Sequence, residues 1–260
     1  MAVLSKAEKS ALEETFRISA RKMYFSKSSI GYYLNNATIG QITSVVDLLE
    51  YEMQTRDKNR KAKLLRQARF PLLKSIEDFD FSDISFPQGY AKEDMLSLEF
   101  IDHAQDFVFF GKTGRGKTHL MIALGMMCVN KGMSVKFFSA ADLVLQLVRA
   151  NEAGKLDTFL RDIHKADIVL LDEFGYIPID AEGARLLFQV ISASYETKSL
   201  IITTNIEFSK WATVLADEKL AAATVDRIVH HGRLIEFGGN SRRLDNALML
   251  EHIDKAGDKS

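Results

Sequence analysis

The sequence has one cysteine, three prolines and no apolar run near the ~20 residues that a membrane-spanning helix needs. A single thiol, Cys128, excludes an internal disulfide framework and is typical of a reducing compartment. The first residues mix acidic and basic side chains and lack the apolar core of a secretory signal. We therefore expect a cytoplasmic protein without a membrane partner.

The two charge signs are distributed unevenly along the chain. Residues 1–75 carry 14 Lys and Arg against 7 Asp and Glu, a balance of +7. The remaining 20 of the 34 basic and 28 of the 35 acidic residues give the rest a balance of −8. A basic segment beside an acidic one suggests a site for a polyanion or an acidic partner, and the alternative is a solvated helical face.

Residues 1 to about 70 are predicted to be helical. In residues 43–53, Val46, Leu49 and Met53 recur at helical spacing, and Pro71 is expected to end the helix that follows. This predicts a basic helical domain over residues 1–72 and a second domain over residues 73–260. Seven bases fall within fourteen residues of the helix and are candidates for DNA binding: Arg56, Lys58, Arg60, Lys61, Lys63, Arg66 and Arg69.

From about residue 76, short apolar strands alternate with helices, which predicts a parallel sheet covered on both faces. The carboxyl ends of such strands meet at one edge, where we expect the functional site. The predicted strands are residues 107–110, 134–139, 166–174, 199–205 and 233–237, and the predicted helices are residues 117–131, 140–150, 181–196 and 217–231.

Residues 111–118 read GKTGRGKT and fit the phosphate-binding pattern G-x-x-x-x-G-K-[ST] between a strand and a helix. The glycines let backbone N–H groups turn towards a phosphate, Lys117 supplies a positive charge, and Thr118 supplies a hydroxyl to Mg²⁺. This segment predicts that the chain binds ATP and Mg²⁺. The predicted nucleotide-binding residues are Gly111, Lys112, Thr113, Gly114, Arg115, Gly116, Lys117, Thr118 and His119.

Two carboxylates, Asp172 and Glu173, end an apolar strand 55 residues after Lys117. In this strand–helix pattern, Asp172 is predicted to hold Mg²⁺ and Glu173 to orient and deprotonate a water. A water-activating acid indicates an ATPase rather than an enzyme that transfers phosphate to a small molecule.

Polar residues Thr203, Thr204 and Asn205 end the fourth predicted strand, and Asn205 is a candidate for positioning the attacking water. The alternative is an asparagine that ends a strand in a turn. Arg227 lies on the last predicted helix, where it is either a solvated side chain or a group that reaches the γ-phosphate of a neighbouring subunit.

His230 and His231 are adjacent on the same predicted helix. Adjacent side chains on a helix diverge by about 100°, and no Cys, His or acidic cluster accompanies the pair in the sequence. We therefore do not predict a metal site at this position.

With these motifs in hand, the chain resembles the IstB-type transposition helper ATPases of bacterial insertion sequences, which belong with the DnaC-type helicase loaders in the initiator branch of AAA+ proteins. The resemblance extends from about residue 36. It is carried by residues 69–82 (RFPLLKSIEDFDFS), 111–125 (GKTGRGKTHLMIALG), 170–180 (LLDEFGYIPID), 186–192 (LLFQVIS), 201–205 (IITTN), 208–211 (FSKW) and 220–237 (LAAATVDRIVHHGRLIEF).

This resemblance implies an AAA+ core with a five-stranded parallel sheet, preceded by a small all-helical domain. It also implies ATP-driven self-assembly on duplex DNA and delivery of that DNA to a partner transposase. The family's closing motif reads like G-E-S-Y-R-L, whereas this chain has GNSRRL at residues 239–244, so Arg243 aligns only loosely with a second-sensor arginine. The implied roles are nucleotide and Mg²⁺ binding for Lys117 and Thr118, the Walker B pair for Asp172 and Glu173, the first sensor for Asn205 and the arginine finger for Arg227.

Two other functions share parts of this pattern. A DnaC-type helicase loader would use the same ATPase core to act on a replicative helicase and single-stranded DNA, although no aromatic platform for stacked bases is evident in the sequence. A small-molecule kinase or a nucleotide-switched binding protein is disfavoured by Glu173, Asn205 and Arg227.

Overall fold

The computed structural model describes residues 5–241. The chain divides into two compact units, Met1–Lys63 and Leu64–Ser260. The predicted boundary after residue 72 stays a prediction, and Arg243 lies outside the described residues.

The first unit consists of α-helices, which confirms the predicted helical N-terminal region. Helix α1 begins after Ser5, whose hydroxyl accepts from the Glu8 N–H while the Glu8 carboxylate accepts from the Ser5 N–H. The helices are α1 (Lys6–Lys22), α2 (Lys27–Asn36) and α3 (Ile39–Ala68), the last of which continues past Lys63. Their apolar core consists of Phe16, Ala20, Ile30, Ile42, Val46 and Leu49.

The second unit contains a six-stranded sheet in the order β1-β6-β2-β5-β4-β3. The five longer strands run parallel, which confirms the predicted parallel sheet, and β1 pairs antiparallel with β6 at one edge. Strand β1 was not predicted, because a strand of two residues carries no recognisable period. The strands are β1 (Ile84–Ser85), β2 (Asp106–Phe110), β3 (Val135–Ser139), β4 (Ile168–Phe174), β5 (Ser199–Thr204) and β6 (Gly232–Phe237).

Helices cover both faces of this sheet, as the continuous apolar strands predict. Val108 of β2 belongs to one core together with Leu143 and Trp211, whereas Phe107 and Phe109 belong to the other. Successive side chains of a strand point to opposite faces, so β2 contributes to both cores. The helices of this unit are α4 (Lys92–Ser97), α5 (Lys117–Asn130), α6 (Ala140–Glu152), α7 (Leu156–His164), α8 (Ala181–Ser194), α9 (Trp211–Leu215) and α10 (Glu218–His231), with a 3-10 turn at Phe208–Lys210.

The four predicted helices of the second unit are confirmed as α5, α6, α8 and α10. Helices α4, α7 and α9 were not predicted. Within residues 5–241, no helix combines the length and the apolar character that a bilayer span requires.

Asp106 is a buried carboxyl at the start of β2, and only 4% of its surface is exposed. Its Oδ1 atom accepts a hydrogen bond from the Leu200 N–H at 2.7 Å. Burial disfavours the charged form and raises the pKa of Asp106 to about 7. The folded chain therefore retains a proton that the unfolded chain releases near pH 3.8.

We expect Asp106→Asn to change the pH dependence of stability. The stabilisation from the raised pKa of Asp106 is complete below about pH 4 and is lost as the pH rises through about 7. Asparagine keeps the acceptor for Leu200 and cannot ionise. The variant should therefore exceed the wild type in free energy of unfolding by on the order of 1–4 kcal/mol at pH 8, and this advantage should shrink towards pH 5. Denaturant titrations at both pH values measure it, and a difference independent of pH would contradict the expectation.

Candidate nucleotide-binding site

The phosphate loop, residues 111–118, connects β2 to α5. Gly114 and Gly116 have φ angles of 85° and 90°, in the left-handed region that favours glycine, and Gly116 is the N-cap of α5. Gly111 meets a different requirement, since a Cβ at this position would lie 2.5 Å from the carbonyl oxygen of Phe237. The glycine pattern of the sequence is thus required by the backbone of the loop.

Lys117 occupies the first turn of α5, and its side chain is buried. The ammonium group donates to the carbonyl oxygens of Gly111 at 2.6 Å and of Lys112 at 2.9 Å. These bonds hold a positive charge inside the curve of the loop, next to the N-terminus of a 14-residue helix. A helix N-terminus and an ammonium group both attract a phosphate.

Asp172 lies near the end of β4 and is buried. The Thr118 hydroxyl contacts both of its carboxylate oxygens, at 2.9 and 3.0 Å. The structure therefore brings together the two residues that the sequence assigns to Mg²⁺. A hydroxyl and a carboxylate are oxygen donors of the kind that Mg²⁺ prefers.

Glu173 is exposed and has a φ angle of 59°, which is uncommon for a residue other than glycine. The pairing of β4 with β5 shifts in register between Leu171 and Phe174, so Glu173 lies in a β-bulge. Its backbone N–H donates to the hydroxyl of Thr203 at 2.9 Å.

A cavity of about 440 Å³ opens above the phosphate loop. Residues 113–119 line it, together with Glu173, Thr203 and Tyr176, whereas Gly111 and Lys112 contribute carbonyl oxygens to Lys117 instead. The segment that follows α3 forms another wall through Pro71, Leu72, Lys74 and Phe79. From the sequence, this segment was expected to end a helix at Pro71 and to carry part of a resemblance, and it was not placed at the site.

Three side chains of the phosphate loop and the start of α5 attach this region to its surroundings. Thr113 lies 2.6 Å from the hydroxyl of Tyr176, and Arg115 donates to the carbonyl oxygen of Phe237 at 2.9 Å. The His119 Nε2 atom lies 3.0 Å from the carbonyl oxygen of Ser75. Predicted nucleotide-binding residues therefore also hold the loop to β6 and to the segment after α3.

Two of the predicted catalytic residues, Asn205 and Arg227, do not line this cavity. Asn205 directly follows β5 and is exposed, while Thr203, two residues earlier, reaches the acids. Arg227 is half-buried on α10, where its guanidinium lies 4.6 Å from the centre of the Phe188 ring and donates to the Ala223 carbonyl at 3.1 Å. The roles of Asn205 and Arg227 remain predictions.

The expectation that no acid accompanies His230 and His231 is wrong. Glu196, which follows α8, places its carboxylate 3.0 Å from His231 Nε2, and the Tyr195 hydroxyl lies 2.9 Å from His230 Nδ1. One ligand-type atom from each of Glu196, His230 and His231 lies within 4.8 Å of the others. Residues distant in sequence meet here because α10 ends beside the turn that leads into β5. The prediction that the pair binds no metal stays a prediction.

The candidate DNA-binding bases of the first unit lie on α3, and local acids pair with three of them. Arg56 contacts Glu52 at 2.7 Å, while Lys61 and Arg60 contact Asp57 at 2.7 and 3.5 Å. Exposed pairs of this kind contribute little to stability. Lys58 and Lys63 are exposed and have no carboxylate partner among residues 5–241. In the second unit, Arg66 and Arg69 are also exposed.

Residues 29–249 match the family model described as IstB-like ATP binding protein. The chain belongs to this family. It is 34% identical over 232 residues to an insertion sequence IS232 ATP-binding protein of Bacillus thuringiensis subsp. berliner, with 88% of this chain and 89% of the relative covered. It is also 34% identical over 228 residues to the corresponding IS5376 protein of Geobacillus stearothermophilus, with 88% and 91% covered.

A comparison with solved structures supports the AAA+ fold predicted from the sequence. AMPPCP-bound DnaA from Aquifex aeolicus aligns with a TM-score of 0.50 at 20% identity, over 70% of this chain and 54% of DnaA. This likeness concerns the fold. The resemblance to IstB-type proteins is confirmed by the family match.

Proposed function

We propose that this chain hydrolyses ATP to ADP and phosphate with Mg²⁺, self-assembles on duplex DNA when ATP is bound, and assists a partner transposase in transposition. The observation that carries the ATPase assignment is that Lys117, Thr118 and Glu173 line one cavity, while Asp172 is hydrogen-bonded to Thr118. Relatives that are named as ATP-binding proteins of insertion sequences support the assignment to transposition.

The residues of the cavity suit ATP and Mg²⁺. Lys117 and the first N–H groups of α5 provide positive charge for phosphates, and Thr118 and Asp172 provide oxygen donors for Mg²⁺. When bound, Mg²⁺ would neutralise negative charge on the phosphates. The pairing of Thr118 with Asp172 keeps these donors together across two elements of the fold.

Glu173 is the proposed general base. Glu173 lines the cavity, where its carboxylate would orient a water towards the γ-phosphate and accept the proton of that water. Asn205, at the end of β5, would help to position the water. Arg227 would act on the nucleotide of an adjacent subunit by stabilising charge in the transition state.

Duplex binding is assigned to the basic surface of α3. Lys and Arg side chains that contact phosphates give affinity without reading sequence, which suits a protein that accepts many target sites. Lys58 and Lys63, which are exposed and without carboxylate partners among residues 5–241, carry this proposal most directly.

One observation favours the alternative of a DnaC-type helicase loader. The first unit exposes four large aromatic side chains that the sequence analysis did not recognise as a surface feature. Bases of single-stranded DNA stack on exposed aromatic rings, so these residues could serve a loader. They are Tyr24, Phe25, Tyr32 and Tyr51, which are 92%, 52%, 73% and 70% exposed.

We expect Glu173→Gln to bind ATP and to lose hydrolysis. Glutamine keeps the shape of the side chain and cannot accept a proton, so turnover should fall by roughly 10²-fold or more. Single-turnover assays with labelled ATP and equilibrium binding measure the two effects. Glu152→Gln removes an exposed charge at the end of α6 and serves as the control. Unchanged turnover in Glu173→Gln would contradict the role of Glu173 as general base.

We expect Arg227→Ala to retain ATP binding and to lose turnover, because the arginine would act on the site of a neighbour. Lys117→Ala should lose nucleotide binding, but it can still supply its Arg227 to the nucleotide site of a neighbouring subunit. Mixing the two inactive variants should restore part of the ATPase activity, since mixed assemblies contain intact shared sites. Turnover of each variant alone is the control. A mixture that stays inactive at every ratio contradicts a site shared between subunits.

We expect cooperative, sequence-tolerant binding to long duplex DNA with ATP, and weaker binding with ADP or without nucleotide. The double variant Lys58→Glu, Lys63→Glu should weaken duplex binding about equally for unrelated sequences. The slope of the logarithm of the binding constant against the logarithm of the salt concentration should become shallower by about 1 per lost phosphate contact. Lys155→Glu, Lys219→Glu makes the same charge change at exposed residues of the second unit and is the control. Preference for a single strand of equal length would favour the helicase loader.

A further inference from the structure

We infer that Thr203 is a positioning residue that sets Asp172 and Glu173 in their working arrangement by bonding to both. The inference deepens the proposed ATPase activity and rests on it. Thr203 lies near the end of β5, and its side chain is 2% exposed. It lines the candidate nucleotide cavity together with Glu173.

A single hydroxyl group joins the two acids. The Thr203 hydroxyl donates to Asp172 Oδ1 and accepts from the Glu173 N–H at 2.9 Å. The same Oδ1 atom also accepts from the Thr118 hydroxyl at 2.9 Å. Thr203 is therefore linked directly to the proposed general base and, through Asp172, to the proposed Mg²⁺ site.

The backbone of β4 explains why such a link is needed. In a regular strand, adjacent side chains point to opposite faces, so two successive acids would project away from each other. The β4–β5 ladder pairs Leu171 with Ile202 and next pairs Phe174 with Thr204, which leaves Asp172 and Glu173 opposite the single residue Thr203. This bulge allows Asp172 to contact Thr118 while Glu173 lines the cavity.

The bulge also requires a side-chain oxygen that accepts a hydrogen bond from the Glu173 N–H. Glu173 has a φ angle of 59°, a left-handed conformation that is unfavourable for a residue with a Cβ. Its N–H donates to the Thr203 side chain instead of a strand carbonyl. A β5 residue without an oxygen at this position would leave that N–H without its acceptor and would remove a donor from Asp172.

The neighbouring threonine has a different role. The Thr204 hydroxyl donates to the carbonyl oxygen of Phe174 at 2.8 Å and contacts neither acid. Asn205 is exposed and does not line the cavity. Of the three polar residues at the end of β5, Thr203 is the one that is bonded to the acids.

Thr203→Val, which keeps the shape and removes the hydroxyl, tests this role. We expect its kcat to fall by roughly 10- to 100-fold, while the Kd for ATP stays within about threefold, because the acids are displaced and the phosphate loop is not. Thr203→Ser restores the hydroxyl and should recover kcat to within about threefold of the wild type.

Thr224→Val is the matched control, because Thr224 is 1% exposed and its hydroxyl donates to the Leu220 carbonyl within α10. It should lose stability to a similar extent and keep its kcat. A readout independent of turnover is the hydrogen exchange of the Glu173 amide, which should accelerate in Thr203→Val and recover in Thr203→Ser.

The outcomes separate the inference from the proposed function. An active wild type with an equally active Thr203→Val overturns the inference alone. Equal loss of kcat in Thr203→Val and Thr203→Ser, or a matching loss in Thr224→Val, overturns it as well, because shape or general stability would then explain the effect. A wild type that binds ATP and never hydrolyses it overturns the proposed ATPase, and unchanged amide exchange in Thr203→Val overturns the hydrogen-bond geometry itself.

Discussion

The parallel pairing of β5 with β2 on one side and β4 on the other is the constraint on which the site depends. Because the three strands run in the same direction, the phosphate loop after β2 and the acids at the end of β4 reach the same edge of the sheet. The intervening strand contributes Thr203 at that edge. Contacts between residues more than 50 positions apart, such as Thr118 with Asp172, follow from this order.

Much of this arrangement can be predicted from the sequence. Continuous apolar runs identify the five parallel strands, and the spacing of glycines and Lys117 identifies the phosphate loop, because both signals are local. Helix α7 also has a local signal that was overlooked, since Leu156, Phe159, Leu160 and Ile163 recur at helical spacing. Helices α4 and α9 span six and five residues, too few to establish a period.

The finer geometry of the site could not be predicted, because it depends on contacts between distant residues. The left-handed conformation of Glu173 is set by the β4–β5 register and has no marker in the sequence, since glutamate rarely adopts it. The same holds for Tyr176, which meets Thr113, and for Glu196, which meets His231. Thr113 and His231 were singled out in the sequence, whereas only the fold identifies Tyr176 and Glu196 as their partners.

The attachment of Arg115 to the Phe237 carbonyl has a consequence for how the protein is made. The two residues are 122 positions apart in the sequence, so this contact cannot form until β6 has left the ribosome. The same strand lies beside β2 in the sheet, so β2 lacks one of its two neighbours until then. The phosphate loop therefore acquires this support only after β6 has been synthesised, and a nascent chain without β6 lacks part of the framework that shapes its nucleotide site.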